Sequence, residues 1–93
     1  MKKILIIDNT ELLTPENTKG YAEIYTLFTT DCTEFNGIPI IDIPEITEST
    51  LPNVEKMKEL IAEINRRNSF EYKVLTADKE QYLVHNYICS FKE

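Results

Sequence analysis

A single amphipathic stretch, residues 51–67, constrains the fold of this chain more than any other feature. Its apolar residues recur at three- and four-residue steps, a spacing that places them on one face of an α-helix. They are Val54, Met57, Leu60, Ile61 and Ile64. Charged side chains occupy most of the remaining positions, so the apolar face must be buried against another element. At roughly 1.5 Å per residue the helix is about 25 Å long, which is enough to cover one face of a small sheet.

Three other segments have the composition of β-strands. Residues 2–8 (KKILIID) contain an uninterrupted apolar centre, which is typical of a central strand that is covered on both faces. Residues 38–43 (IPIIDI) form a second apolar strand. Residues 70–76 (FEYKVLT) alternate apolar and charged side chains, a pattern that predicts a half-buried strand.

Two further segments fit either a helix or a strand. In residues 14–30 the Thr14-Pro15 pair can begin a helix. The aromatic and threonine-rich composition of residues 21–30 nevertheless favours a strand, and Asn36-Gly37 predicts a turn that joins it in a hairpin to residues 38–43. Residues 77–91 form either a returning strand over 81–91 or a helix. The apolar face of that helix would contain Leu83, Val84, Tyr87, Ile88 and Phe91.

These elements predict a single domain over residues 1–93 with a two-layer α+β fold. Its sheet would have four or five strands in mixed or largely antiparallel order, covered by the helix at 51–67. The alternative is a small three-layer α/β domain. If residues 15–30 and 78–91 are helices, the chain becomes βαβαβα and its strands are parallel.

Acidic residues are concentrated in the first part of the chain. The net charge is −6. From Ile4 to Glu55 there are ten acidic residues and one basic residue, Lys19, which gives a local charge of −9. A surface that stacks nucleic-acid bases needs basic neighbours to hold the phosphates, and this region nearly lacks them. Direct nucleic-acid binding is therefore disfavoured, and a partner with a basic surface is favoured.

Several classes of protein are disfavoured by what the sequence lacks. It contains two glycines and neither a GxGxxG nor a GxxxxGK[ST] motif, so we expect no nucleotide cofactor. Its two cysteines, Cys32 and Cys89, have no metal-like spacing and are expected to be free thiols of a cytoplasmic protein. The first apolar run stops at Asp8, so we expect neither a signal peptide nor a membrane span.

Three aspartates follow three apolar segments: Asp8, Asp42 and Asp78. In a parallel sheet these carboxylates would gather at one edge, where they could hold Mg²⁺ for phosphodiester hydrolysis. The segments ILIIDNTELL and KVLTADKEQYL resemble the first strand and a later strand-to-helix turn of PIN-type nucleases, whose acidic residues hold the metal. This resemblance implies a small Mg²⁺-dependent nuclease. The structural interpretation is that each aspartate serves a turn or a helix cap.

The charge distribution and the lack of a catalytic motif favour a non-enzymatic protein-binding module. We expect an inhibitor or regulator that docks on the basic, nucleic-acid-binding surface of a partner protein, where its carboxylates take the place of phosphates. Small toxin-neutralising proteins and virus-encoded inhibitors act in this way as classes. The predicted docking residues are Asp31, Glu34, Glu45 and Glu48. The acidity also has a simpler interpretation, in which it only confers solubility, and the small core allows a homodimer.

Overall fold

The structure is a computed structural model that describes residues 2–67 and 70–75. This part of the chain forms a small α+β fold with a five-stranded mixed sheet, as the sequence predicts. The strands are β1 (Lys2–Ile7), β2 (Glu23–Thr26), β3 (Glu34–Phe35), β4 (Ile38–Asp42) and β5 (Phe70–Leu75). A 3₁₀ turn (Thr10–Leu12) and the helices α1 (Pro15–Thr18), α2 (Pro44–Thr47) and α3 (Asn53–Arg67) connect them.

The strand order is β3-β4-β2-β1-β5. The pairs β1–β2, β1–β5 and β2–β4 are parallel, and only β3–β4 is antiparallel among the described strands. The mixed sheet is thus confirmed, although most of its pairings are parallel. The chain leaves β1 toward β2 and β4 on one side, and α3 then carries it back to β5 on the other side. This reversal puts the carboxyl end of β1 at the topological switch point of the sheet, where the strand order changes direction.

The predicted Asn36-Gly37 turn is confirmed, but it joins different strands from those expected. Asn36 has φ 50° and Gly37 has φ 82°, the positive values that a tight two-residue hairpin turn requires at both central positions. The turn connects β3 to β4, with Phe35 opposite Ile38. The predicted hairpin between residues 21–30 and 38–43 is wrong, because β3 forms the returning strand and leaves β2 and β4 parallel.

The long helix α3 covers one face of the sheet. It has 15 residues and ends at Arg67 as predicted, but it begins at Asn53 and not at residue 51. The first helical hydrogen bond is donated by the backbone N–H of Lys56 to the carbonyl of Pro52 at 3.0 Å. The predicted apolar face is confirmed by four fully buried side chains: Met57, Leu60, Ile61 and Ile64. They form one core cluster with residues of β1, β2 and β5.

The opposite face of the sheet carries a second core cluster, formed by Leu5, Ile7, Ile24 and Ile40. Because Ile4 and Ile6 belong to the first cluster, β1 is buried on both faces, and its predicted central position is confirmed. The segment between β1 and β2 packs on this second face through partly buried side chains, among them Leu12, Leu13 and Tyr21.

The ambiguous segment 14–30 contains both a helix and a strand. Thr14 caps α1 by accepting a hydrogen bond from the backbone N–H of Asn17 at 3.1 Å, and Pro15 occupies the first helical position. After one turn the chain enters β2 at Glu23. The other ambiguous segment, residues 77–91, lies outside the described residues. In the described ranges no helix has both the length and the apolarity needed to cross a bilayer.

Candidate functional site

The four acidic residues predicted to bind a partner lie on one continuous unit of the chain, formed by β3, β4 and α2. Asp31 lies in the loop before β3, and Glu34 lies in β3 itself. Glu45 is in α2, and Glu48 is the C-terminal cap of that helix. All four residues are exposed. We call this set, Asp31, Glu34, Glu45 and Glu48, the acidic surface.

The short helix α2 fixes two members of the acidic surface. Its flanking and central isoleucines, Ile43 and Ile46, are buried in the α3-side core with 4% and 6% exposure. The backbone N–H of Glu48 donates to the carbonyl of Pro44 at 3.0 Å, which closes the turn. Glu45 and Glu48 are therefore exposed on a short helical segment whose isoleucines are buried in the core. In the sequence, Pro44 and the three-residue spacing of Ile43 and Ile46 are only weak signals of this helical turn.

The ion pairs found among the described residues involve other carboxylates. Glu23 pairs with Lys2 at 3.4 Å, and Glu55 pairs with Lys58 at 3.5 Å. Glu63 pairs with Arg66 and Arg67. None of these pairs includes a residue of the acidic surface, so within the described part of the chain its negative charge is not neutralised by an ion pair.

A groove of about 530 Å³ lies between α2 and α3 and adjoins the acidic surface. It is lined by Ile43, Glu45, Ile46, Glu59, Ala62 and Glu63, with Arg66 and Arg67 at the end of α3. Glu45 thus belongs both to the acidic surface and to the groove. This groove has no signal in the sequence, because it depends on how two helices separated by a connector pack together.

The structure places two of the three strand-associated aspartates at the carboxyl edge of the sheet. Asp8 lies one residue beyond β1, and Asp42 is the last residue of β4. Strand β2 runs between them, with Thr26 paired to both Ile7 and Asp42. Two strand spacings of about 4.8 Å separate the backbones of β1 and β4 by roughly 10 Å.

Side-chain alternation further separates these two aspartates. Asp42 follows Ile40 by two residues and so shares its face, which carries the second core cluster. Extending the alternation of Ile4 and Ile6 one step past the end of β1 would put Asp8 on the α3 face. Asp78 lies outside the described residues. Within the ranges that the structure describes, no group of three histidine, cysteine, aspartate or glutamate side chains could hold a metal ion.

A polar cluster occupies the opposite, amino edge of the sheet. The Tyr25 hydroxyl donates a hydrogen bond to a Glu23 carboxylate oxygen at 3.2 Å, and Glu23 also pairs with Lys2. Burial raises the pKa of Tyr25 to about 12, with further increases from the charge and hydrogen bond of Glu23, and the charge of Arg67 acts in the opposite direction.

This pKa predicts a loss of stability in alkaline solution. An unfolded tyrosine ionises near pH 10, whereas folded Tyr25 retains its proton to about pH 12. Its contribution is therefore complete below pH 10 and is lost as the pH rises through 12, with a total of roughly 2–3 kcal/mol. We expect Tyr25→Phe to remove a phase of phenolate absorbance near pH 12 in a titration and to flatten the fall in unfolding free energy over this interval. Tyr21→Phe should retain that phase, and its persistence in Tyr25→Phe would contradict the assignment.

The fold and the candidate site together define a class of protein. It is a small α+β domain with a mixed, mostly parallel sheet and with the acidic surface near the β3–β4 edge of that sheet. No known family model, curated protein or solved structure matches the chain. The function of the protein is therefore inferred from its residues and their geometry.

Proposed function

We propose that this protein is a non-enzymatic protein-binding module, an inhibitor or regulator that docks its acidic surface on a basic surface of a partner protein. The observation that carries the proposal is that four exposed carboxylates lie within one stretch of the chain, residues 31–48, which contains β3, β4 and α2, and that they take part in none of the ion pairs of the described residues. Carboxylates that are not neutralised internally are free to attract an oppositely charged surface.

The chemistry of the surface favours a nucleic-acid-binding protein as the partner. Such a protein carries lysine and arginine side chains where phosphates bind, and carboxylates can pair with the same groups. Bound there, the acidic surface would exclude the nucleic acid by competition. The proposed function needs no cofactor and no membrane, and its expected location is the cytoplasm.

A capture experiment with matched charge variants tests the proposal. We expect the double variant Glu45→Lys/Glu48→Lys to lose the partner that the wild-type protein retains from a cell extract. The control is Glu11→Lys/Glu16→Lys, which makes the same change in net charge at two exposed residues of the segment between β1 and β2. Bound proteins would be compared quantitatively by mass spectrometry.

Only a partner that is lost from the first variant and kept by the control supports the proposal. Purified partner should then release bound nucleic acid when the wild-type protein is added. Equal capture by wild type and Glu45→Lys/Glu48→Lys, or binding to the partner without displacement of nucleic acid, would contradict the proposed docking mode.

A second candidate function, Mg²⁺-dependent nuclease activity, is favoured by one observation. β1 pairs in parallel with both β2 and β5, so Asp8 follows β1 at the topological switch point of the sheet. Ligands bind at this position in open parallel sheets. The distance and facing of Asp42 weigh against a shared metal site that includes it. This function therefore depends on Asp8 with Asp78, which the resemblance to PIN-type nucleases also pairs.

The nuclease candidate makes a separate prediction about Asp8. If the purified protein cleaves single-stranded RNA or DNA with Mg²⁺, Asp8→Asn should reduce the rate by at least about 100-fold, because a neutral amide binds the metal more weakly than a carboxylate. Cleavage would be followed on a labelled oligonucleotide, with circular dichroism to verify folding and Asp31→Asn as the control. Undiminished cleavage by Asp8→Asn would exclude this residue as a metal ligand.

A further inference from the structure

We propose that the groove between α2 and α3 receives an apolar side chain of the partner, and that lysine or arginine side chains on the same partner segment flank this anchor. The inference rests on the proposed function, because Glu45 belongs both to the acidic surface and to the lining of the groove. It adds a description of the bound segment: basic, with one apolar residue that inserts between the two helices.

The floor of the groove provides the apolar part of the site. Ile43 and Ile46 rise from the core below α2, and Ala62 lines the opposite wall on α3. The small side chain of Ala62 leaves space between the helices. The volume of about 530 Å³ lies in the range of roughly 300–1,000 Å³ that is usual for binding pockets. A single aliphatic or aromatic side chain would replace water against Ala62 and against the small exposed parts of Ile43 and Ile46.

The rim of the groove determines the charge of the segment that fits. Arg66 and Arg67 both pair with Glu63 within α3, so this single carboxylate compensates one of the two positive charges. Glu45 and Glu59 are exposed and take part in none of the ion pairs among the described residues. The lining thus carries three carboxylates and two arginines, a net charge of −1, which favours lysine and arginine and disfavours an acidic peptide or an anionic lipid surface.

The spacing of the carboxylates on α3 adds to this preference. Glu55, Glu59 and Glu63 follow one another at four-residue steps, so they lie along one side of the helix. Like charges at this spacing destabilise a helix. Lys58 pairs with Glu55 and the two arginines pair with Glu63, so Glu59 is the carboxylate of this row that takes part in no ion pair among the described residues.

A peptide titration tests this inference without knowledge of the natural partner. The probe is a short amidated peptide in which one leucine is flanked on both sides by lysine and arginine, and the matched probe has serine in place of leucine. Binding would be followed by heteronuclear NMR on the full-length protein. We expect amide shifts at Glu59 and Ala62, and at least about tenfold weaker binding of the serine peptide, the effect of losing an apolar anchor.

Two variants of α3 locate the anchor. Ala62→Phe fills the groove and should weaken binding of the leucine peptide at least about tenfold. Asn65→Phe adds the same side chain at an exposed position of the same helix that does not line the groove, and it should leave the affinity unchanged. Glu59→Gln should weaken both peptides and reduce the salt dependence of binding. Circular dichroism verifies that each variant is folded.

The outcomes separate this inference from the proposed function. Equal binding of the leucine and serine peptides, or equal effects of Ala62→Phe and Asn65→Phe, would overturn the groove as the anchor site. If capture of a partner still depends on Glu45 and Glu48 in that case, the acidic docking surface stands without the groove. If the leucine peptide binds as expected but capture does not depend on those residues, the groove stands and the proposed function fails.

Discussion

Replacing Leu60 with alanine is expected to lower the free energy of unfolding by about 3 kcal/mol, within the range of 2–5 kcal/mol found for such core truncations. Leu60 is fully buried between α3 and the sheet, so its removal leaves a cavity in the larger core cluster. Total stabilities are about 5–15 kcal/mol, so a large share would be lost. The midpoint of thermal unfolding should fall by more than about 10 °C.

The matched control for this prediction is Asn65→Ala on the same helix. Asn65 is exposed, and alanine has the higher helix propensity, so the stability should change by less than about 1 kcal/mol and in the favourable direction. Both variants would be compared by denaturant and thermal unfolding. A loss below about 1 kcal/mol for Leu60→Ala would show that α3 does not bury this side chain against the sheet.

The second large effect is expected in the kinetics of partner association. Reversing Glu45 and Glu48 changes the charge of the acidic surface by four units, from −4 to zero, and so removes its attraction for a basic partner. Electrostatic steering accelerates association by roughly 10- to 1,000-fold, so at low ionic strength Glu45→Lys/Glu48→Lys should associate at least about tenfold more slowly than the wild type. The dissociation rate should change less if these residues lie at the rim of the interface.

Salt dependence separates a local effect from one of net charge. Stopped-flow association should slow with ionic strength for the wild type and for Glu11→Lys/Glu16→Lys, but should respond weakly or in the opposite sense for Glu45→Lys/Glu48→Lys. Near physiological salt, where the screening length is about 8 Å, the rates should converge. Parallel behaviour of the two double variants would indicate that only the total charge matters, which is the solubility interpretation of the acidic residues.

The elements that the sequence predicts well are those whose signal is repeated along the chain. The apolar residues of α3 recur over about three turns, and each strong strand has several apolar residues in succession. The short elements are harder to predict, because the four residues of α2 and the two of β3 provide no period that can be measured. Their positions depend on the tertiary contacts of Ile43, Ile46 and Phe35.

Strand pairing was the main difference between expectation and structure. An Asn-Gly turn specifies only that its two flanking strands are antiparallel, and it cannot show which upstream residues form the first of them. Here the Ile40 N–H donates a hydrogen bond to the carbonyl of Thr33, and Glu34 lies opposite Pro39. β3 therefore occupies one side of β4, and β2 pairs with the other side of β4. The parallel pairing of β1 with β5 has no local signal, because the connection between them includes several other elements.

For the candidate site, too, some features can be predicted from the sequence and others depend on tertiary structure. The concentration of carboxylates between Ile4 and Glu55 is visible in the sequence. The four residues of the acidic surface could be selected from it, and the structure shows that they are exposed. The groove is not, since it requires Ile46 and Ala62, which are far apart in sequence, to face each other across two helices. The relative facing of Asp8 and Asp42 likewise depends on strand direction and register.

The central position of β1 also has a consequence for how fast the chain can fold. Each pairing of β1 with β5 joins residues that are 68 positions apart, from Lys2 with Phe70 to Ile7 with Leu75. Closing so long a loop costs chain entropy before any of the pairing energy is recovered. The pairing of this buried interior strand is therefore complete only when the last described strand arrives, so we expect folding on the millisecond-to-second scale of proteins rich in non-local contacts. Until β5 arrives, one edge of β1 is exposed to pairing with other chains, and rapid dilution from denaturant should give more aggregation at higher protein concentration.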